Sequence, residues 1–186
     1  FRISMLFGLG LAITSALVGC FLGAIQGFFG GMTDLLGQRM TEIWGSMPRL
    51  YLLMILSSFL APAQLMNWQH YLILFGILNL TAWMGMSTFM RAEFLKARNL
   101  EYVKAAKALG ASNFIIMLRH ILPNSLTPIV TFLPFNITAG ILALVSLDYL
   151  GFGVKYPAPS LGELLSQGKE NLHATWILLP TFIVLS

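Results

Sequence analysis

Long apolar runs alternate with short polar segments along the whole chain. The runs lie at 3–29, 48–66, 68–89, 122–147 and 172–186. The first run carries no charged side chain, and at about 1.5 Å per residue it crosses a hydrocarbon core of about 30 Å with some tilt. The pattern predicts an all-α integral membrane protein, a polytopic helical bundle with about five spans. Since the chain starts at Phe1 and its last run stops at Ser186 without a flanking charge, we expect a piece of a longer subunit.

Glycines shape the first run and its end. Gly19, Gly23 and Gly27 recur every four residues, a spacing that lets helices pack closely. We interpret this stripe as packing within the bundle, with a subunit interface as the alternative. Gly30-Gly31 then breaks the helix, and the polar residues 32–45 predict a short amphipathic surface helix.

Composition and charge set the topology. The chain is 57% hydrophobic and 10% charged, with a mean hydropathy of +0.79, against about 25% charged residues in ordinary soluble domains. Six of the eleven Lys and Arg fall between Arg91 and Arg119. Because Lys and Arg concentrate in cytoplasmic loops, we place 91–119 and 30–47 inside, and 62–67 and 148–171 outside.

The residues that carry chemistry are sparse. Cys20 is the only cysteine, and His70, His120 and His173 share no metal-ligand spacing. The chain contains no phosphate-binding Gly-x-x-x-x-Gly-Lys motif. We therefore expect neither an enzyme nor a bound cofactor or metal in this chain, and energy for active transport would enter through a partner.

The polar stretch from Glu101 to Asn124 predicts two short helices with a break at Gly110. With about 3.6 residues per turn, one arc of the first helix contains Tyr102, Val103, Ala105, Ala106, Leu109 and Gly110. The centre of this arc is small, so another surface can approach closely. Ser112 or Asn113 is suited to cap the second helix, and Pro123 suits an early position of the span that follows.

This stretch resembles the cytoplasmic coupling loop of ABC importer permeases. The family pattern is Glu-Ala-Ala, three residues, Gly, nine residues, an apolar residue, any residue and Leu-Pro. Ala105-Ala106, Gly110 and Leu122-Pro123 match it. Lys104 stands where the pattern has Glu, and His120 stands where it has an apolar residue.

A second segment resembles the outer loop of oligopeptide permease subunits. It runs Ser-Leu-Asp-Tyr-Leu-Gly-Phe-Gly over 146–153 and Pro-Ser-Leu-Gly-Glu-Leu-Leu over 159–165. The resemblance covers nearly the whole chain. It is to the oligopeptide, dipeptide and nickel branch of the family, and within that branch the chain is most similar to permeases of the oligopeptide and microcin C type.

The resemblance implies a permease domain over 1–186 in the bacterial cytoplasmic membrane, holding the second to sixth of six expected spans. It implies a homologous second permease subunit, two ATPase subunits that bind ATP and Mg, and an extracytoplasmic solute-binding protein. The residues it assigns to ATPase coupling are Glu101, Lys104, Ala105, Ala106, Leu109 and Gly110.

Five further polar residues are weaker candidates. Asp148 and Glu163 lie outside in this topology, where they dock the binding protein or, alternatively, cap helices and hold the loop. Asn79, Asn136 and Thr138 lie at membrane depth, where they line the pathway or form hydrogen bonds between helices.

Three functions compete for this sequence. The leading interpretation is a permease subunit that forms half of a peptide pathway, with nickel as an alternative solute. The second is a passive channel or membrane scaffold, which needs no helix for docking an ATPase. The third is an intramembrane enzyme, which the missing nucleophile and ligand sets oppose.

Overall fold

The computed structural model describes residues 2–58, 67–153, 160–171, 173 and 175–185. Every regular element in this described part is helical, which confirms the predicted fold class. A π-helical segment covers Ile116–Ile121, and a 3-10 turn covers Leu122–Ser125. The α-helices are α1 Arg2–Phe29, α2 Gly31–Ser46, α3 Arg49–Ser58, α4 Asn67–Ala97, α5 Glu101–Ala108, α6 Asn113–Ile115, α7 Leu126–Tyr149, α8 Leu161–Glu170 and α9 Thr175–Leu185.

Three helical segments in the described part are long and apolar enough to cross a membrane. They are Arg2–Phe29, Trp68–Ala97 and Ile129–Tyr149, and they correspond to the first, third and fourth predicted spans. Two shorter apolar helices, Arg49–Ser58 and Thr175–Val184, fall within the second and fifth. Because residues 59–66, 172, 174 and 186 lie outside the described part, the total of five spans stays a prediction.

The helix of the third predicted span extends beyond that span. We expected the span to stop at about 89, and α4 continues to Ala97. Met90 and Phe94 are fully buried and one helical turn apart, and no Gly or Pro interrupts 90–97. The apolar stripe therefore extends the helix past the first charges of the polar block.

The predicted outer loop also contains a helix that we did not expect. Ser160 accepts a hydrogen bond from the Glu163 backbone N–H (3.1 Å) and caps α8. Ser-x-x-Glu before an amphipathic run is a known helix start. The signal was present in a segment whose glycines and prolines suggested only a loop.

The described residues pack as two compact units. The first draws on Phe1–Ala12, Met47–Leu80 and Phe135–Ser186, and the second on Ile13–Ser46 and Thr81–Pro134. In the first unit, a Cβ added at Gly140 would lie 3.5 Å from the Gly8 Cα, so α1 and α7 touch through their glycines. Phe7 meets Phe75 of α4 edge to face at 5.4 Å between ring centroids.

The glycine stripe of α1 organises the second unit. A Cβ at Gly19 would lie 2.6 Å from the Trp83 carbonyl oxygen, and one at Gly27 would lie 2.5 Å from that of Arg91. Gly23, between them, faces the Ser87 carbonyl oxygen. The contacts advance in the same direction on both helices, so α1 and α4 run parallel here. The interpretation as packing within the bundle is confirmed.

Candidate functional site

Gly110 breaks the polar stretch into two helices, as predicted. Its φ of +81° is left-handed, a conformation that glycine adopts at little cost. Its N–H donates to the Lys107 carbonyl oxygen (3.0 Å), and that of Ala111 donates to Ala106 (3.1 Å). This pair of hydrogen bonds is the Schellman ending of a helix. A Cβ at Gly110 would meet nothing within 4 Å, so backbone geometry, and not lack of space, favours glycine.

The second half of the stretch begins at a side-chain cap. Ser112 accepts a hydrogen bond from the Ile115 N–H at 3.4 Å, which confirms one of the two predicted caps. The chain then widens into the π-helical segment, where the Leu122 N–H donates to the Met117 carbonyl oxygen. Pro123 follows and has no N–H to give. Sequence reasoning missed this π segment. The signal for it was Pro123, which cannot donate the next backbone hydrogen bond of a regular helix.

Helix α5 has one face in the core and another exposed. Val103 is 0% and Ala106 is 7% exposed. Both belong to the buried cluster of the second unit that contains Phe28 of α1 and Phe94 of α4. The chain therefore fixes α5 against the ends of two membrane helices.

The side of α5 beside Ala106 carries an exposed stripe, which we call the α5 stripe and define as Tyr102, Ala105 and Leu109. Ala105 is exposed, Tyr102 is 37% exposed and Leu109 is 88% exposed. Spacings of three and four residues place the three side chains on one side of the helix. The small central alanine leaves a shallow surface between two larger apolar side chains.

Ala106 does not lie on this exposed surface. We grouped it with Ala105 because the two are neighbours on the apolar arc, and the expected contact between Ala106 and a partner is wrong. Ile116 and Ile121 of the π segment lie in the same buried cluster and cover that side of the helix. Glu101, Lys104 and Gly110 are exposed as expected, and their coupling role stays a prediction.

An ion pair joins the predicted surface helix α2 to α4. Arg91 Nη2 donates to Asp34 Oδ2 at 2.7 Å, and Arg91 Nε donates to Asp34 Oδ1. The hydrogen bond from Arg91, with the positive charges of Arg91 and Arg98, lowers the pKa of the Asp34 carboxyl despite some burial. Residues 34 and 91 thus meet in one unit, as expected for two loops on the same side of a membrane.

The two outer-loop candidates lie in different environments. Asp148 is only 6% exposed, which favours the alternative that it holds the loop over direct docking of a binding protein. Gly153 and Gly162 both pack directly against Asp148. Gly151 adopts a left-handed conformation that turns the chain at the end of α7. Glu163 is half-buried in the first turn of α8 and accepts a hydrogen bond from Gln167 Nε2 at 2.9 Å.

The three membrane-depth candidates all lie in the first unit. Asn79 Nδ2 donates to the Phe75 carbonyl oxygen of its own helix at 3.0 Å. Asn136 is half-buried and Thr138 is exposed. Their place on a solute pathway stays a prediction.

The chain matches known proteins over nearly its whole length. The peptidoglycan transport system permease protein YejE of Agrobacterium fabrum is 54% identical over all of this chain and 47% of its own. The inner membrane ABC transporter permease protein YejE of Escherichia coli is 47% identical over 98% of this chain and 51% of its own. The oligopeptide transport system permease protein OppC of Haemophilus influenzae is 32% identical over 98% of this chain and 57% of its own.

The chain thus spans about half the length of these curated relatives. A family described as the inner membrane component of binding-protein-dependent transport systems matches residues 4–186. That match covers the first apolar helix, the polar stretch 101–124 and the last helix in one family pattern. This helical, multi-span chain belongs to the family of inner membrane components of binding-protein-dependent transport systems.

Proposed function

We propose that residues 1–186 form one permease domain of an ATP-driven, binding-protein-dependent importer and contribute half of its pathway. The observation that carries the proposal is the α5 stripe, an exposed surface with a small residue at its centre, on a helix whose neighbouring face is buried. The buried side of the same helix reaches α1 through Phe28 and α4 through Phe94. A partner that moves the stripe therefore moves the ends of two membrane helices.

The packing beneath α5 supports this transmission. Lys107 Nζ lies 5.2 Å from the centroid of the Phe28 ring, a cation–π distance. The Asp34–Arg91 pair is only 16% and 22% exposed and ties α2 to the same end of α4. Cores of this kind are dense and transmit strain instead of absorbing it. Motion at the loop is thus coupled to the spans by contacts within one unit.

The partners follow from the family. We propose a second, homologous permease subunit, two ATPase subunits seated on the coupling loops, and a binding protein that delivers solute from outside. ATP and Mg belong to the ATPase subunits, so this chain is not itself an enzyme. The α5 stripe and the exposed Glu101 and Lys104 provide the apolar centre and the charged rim of the docking surface.

Peptides are the proposed solute class. Relatives are named for oligopeptide and dipeptide transport, and one is named for peptidoglycan transport. All three names point to compounds that contain peptide bonds, and this favours peptide over nickel. The α5 stripe favours an ATP-driven importer over a passive channel, because a channel needs no such docking surface.

The test is reconstitution of the complete importer with its binding protein. We expect ATP hydrolysis to rise when the binding protein is loaded with a short or peptidoglycan-derived peptide, and not when it is offered nickel. Uptake of labelled peptide into the same vesicles should require ATP. Peptide flux that persists without ATP hydrolysis would contradict the proposal and favour the channel.

A further inference from the structure

An apolar groove of about 520 Å³ runs along α1 in the second unit. From α1 it is lined by Leu17, Cys20, Phe21, Ala24, Ile25 and Phe29, with Phe94 of α4 alongside. The π segment and the residues just before it close the other side through Phe114 and Leu118. Several of these side chains remain open to the surroundings, since Leu17 is 66%, Phe21 64% and Phe114 66% exposed.

The groove has the length of one leaflet. Twelve residue steps separate Leu17 from Phe29, which corresponds to about 18 Å of helix. Half of a bilayer core is about 15 Å. Phe29 ends α1, just before the Gly30-Gly31 turn. The groove therefore extends from the cytoplasmic end of the helix to about the middle of the membrane.

A positive charge lies near the Phe29 end. Lys107 Nζ is held 5.2 Å above the Phe28 ring, and the Phe28 and Phe29 rings meet edge to face at 5.4 Å. Arg98 Nη1 donates to the Gly27 carbonyl oxygen at 3.4 Å, but its charge also acts on the Asp34 carboxylate. Lys107 forms no salt bridge among the described residues. An apolar slot with a lysine at one end is complementary to an amphiphile with an anionic head.

We propose that the groove binds one acyl chain of an anionic phospholipid of the inner leaflet, with its phosphate at Lys107. The cytoplasmic leaflet is the anionic one, and basic groups near it attract its lipids. A helix of a partner protein is the alternative occupant, and crosslinks to protein instead of lipid would reveal it. The bound chain would fill the space between α1 and the second half of the coupling loop. The proposal does not depend on which solute is transported.

Photo-crosslinking in the complete importer tests this assignment. p-Benzoylphenylalanine replaces Phe21, an exposed aromatic side chain that lines the groove. The protein is placed in nanodiscs with equal amounts of phosphatidylglycerol and phosphatidylcholine, and adducts are identified by mass. We expect phosphatidylglycerol adducts to exceed phosphatidylcholine adducts about fivefold, the selectivity of one cation near a membrane surface.

Two variants serve as controls. Lys107→Gln should bring the adduct ratio back towards the bulk lipid ratio without lowering the total lipid yield. The same photoreactive residue at Leu6, which is 70% exposed on α1 but outside the groove, should report the bulk ratio throughout. Adducts to a second permease chain, or equal labelling of the two lipids from position 21, would overturn the proposal.

Discussion

Ala105 and Ala106 are neighbours in α5, yet they belong to two different surfaces. Ala106 lies in the buried cluster with Phe94 and Ile116, whereas Ala105 lies at the centre of the exposed α5 stripe. The same small side chain thus serves two purposes. At 106 it lets α5 pack closely on its own unit, and at 105 it leaves room for a partner. A sequence pattern that pairs the two alanines conceals this division.

The largest effect is expected from Ala106→Trp. The indole must enter a buried core, and overpacking destabilises by about 1–3 kcal/mol, with a residue as large as Trp at the upper end or beyond. The melting midpoint of the purified permease should fall sharply, and the folded yield should fall with it. A melting midpoint equal to that of the wild type would show that the side of α5 that carries Ala106 is not buried.

Next comes Asp34→Asn, which removes the charge from a partly buried, two-point ion pair. Charge-assisted hydrogen bonds of this kind contribute about 1.5–3 kcal/mol. Glu42→Gln is the matched control, because its pair with Arg39 is 51% and 69% exposed and such surface pairs contribute about 0–1 kcal/mol. Thermal melting should separate the two variants. Equal midpoints would show that the Asp34–Arg91 pair does not stabilise the second unit.

The same ion pair makes a prediction about pH. Since Arg91 lowers the pKa of Asp34 in the folded protein, the contribution is complete above the unfolded value of about 3.9. It is lost as the pH falls through the lower, folded pKa. The midpoint difference between wild type and Asp34→Asn should therefore stay constant from about pH 7 to about pH 5 and shrink only in stronger acid. A difference that vanishes near neutral pH would contradict this assignment.

Gly110→Val should have a smaller effect on stability. The space around the Cβ is open, so the cost is the left-handed backbone alone, about 1–2 kcal/mol. Gly110→Asn should cost less, since Asn tolerates this conformation. The two variants are compared by melting midpoint and by ATPase stimulation. If Val and Asn behave alike, the left-handed turn does not decide how the loop breaks.

Ala105→Trp should have the smallest effect on stability. The side chain is exposed, and surface substitutions usually change the free energy of unfolding by about 0.5 kcal/mol or less. The melting midpoint of the permease alone should stay near the wild-type value. A fall as large as that of Ala106→Trp would mean that both alanines are buried and that the α5 stripe does not exist.

Local signals in the sequence predicted much of this structure. The apolar runs, the break at Gly110 and the Ser112 cap depend on residues within one or two turns of each other. Features decided by distant packing were missed. The buried side of α5 is set by Ile116 and Ile121, and the burial of Asp148 is set by Gly153 and Gly162. Neither contact produces a periodic pattern of residues in the sequence.

The most direct measurement is ATP hydrolysis by the complete importer, stimulated by loaded binding protein, with tryptophan at position 105 or at position 108. Ala108 is also exposed and matches Ala105 in size and helix. It lies about 60° further round the helix from Ala105, on the side away from Tyr102 and Leu109. We predict that Ala105→Trp abolishes the stimulation and loosens the ATPase subunits, whereas Ala108→Trp keeps most of both. Full stimulation with Ala105→Trp, and ATPase subunits still bound, would contradict the assignment of the α5 stripe as the docking surface.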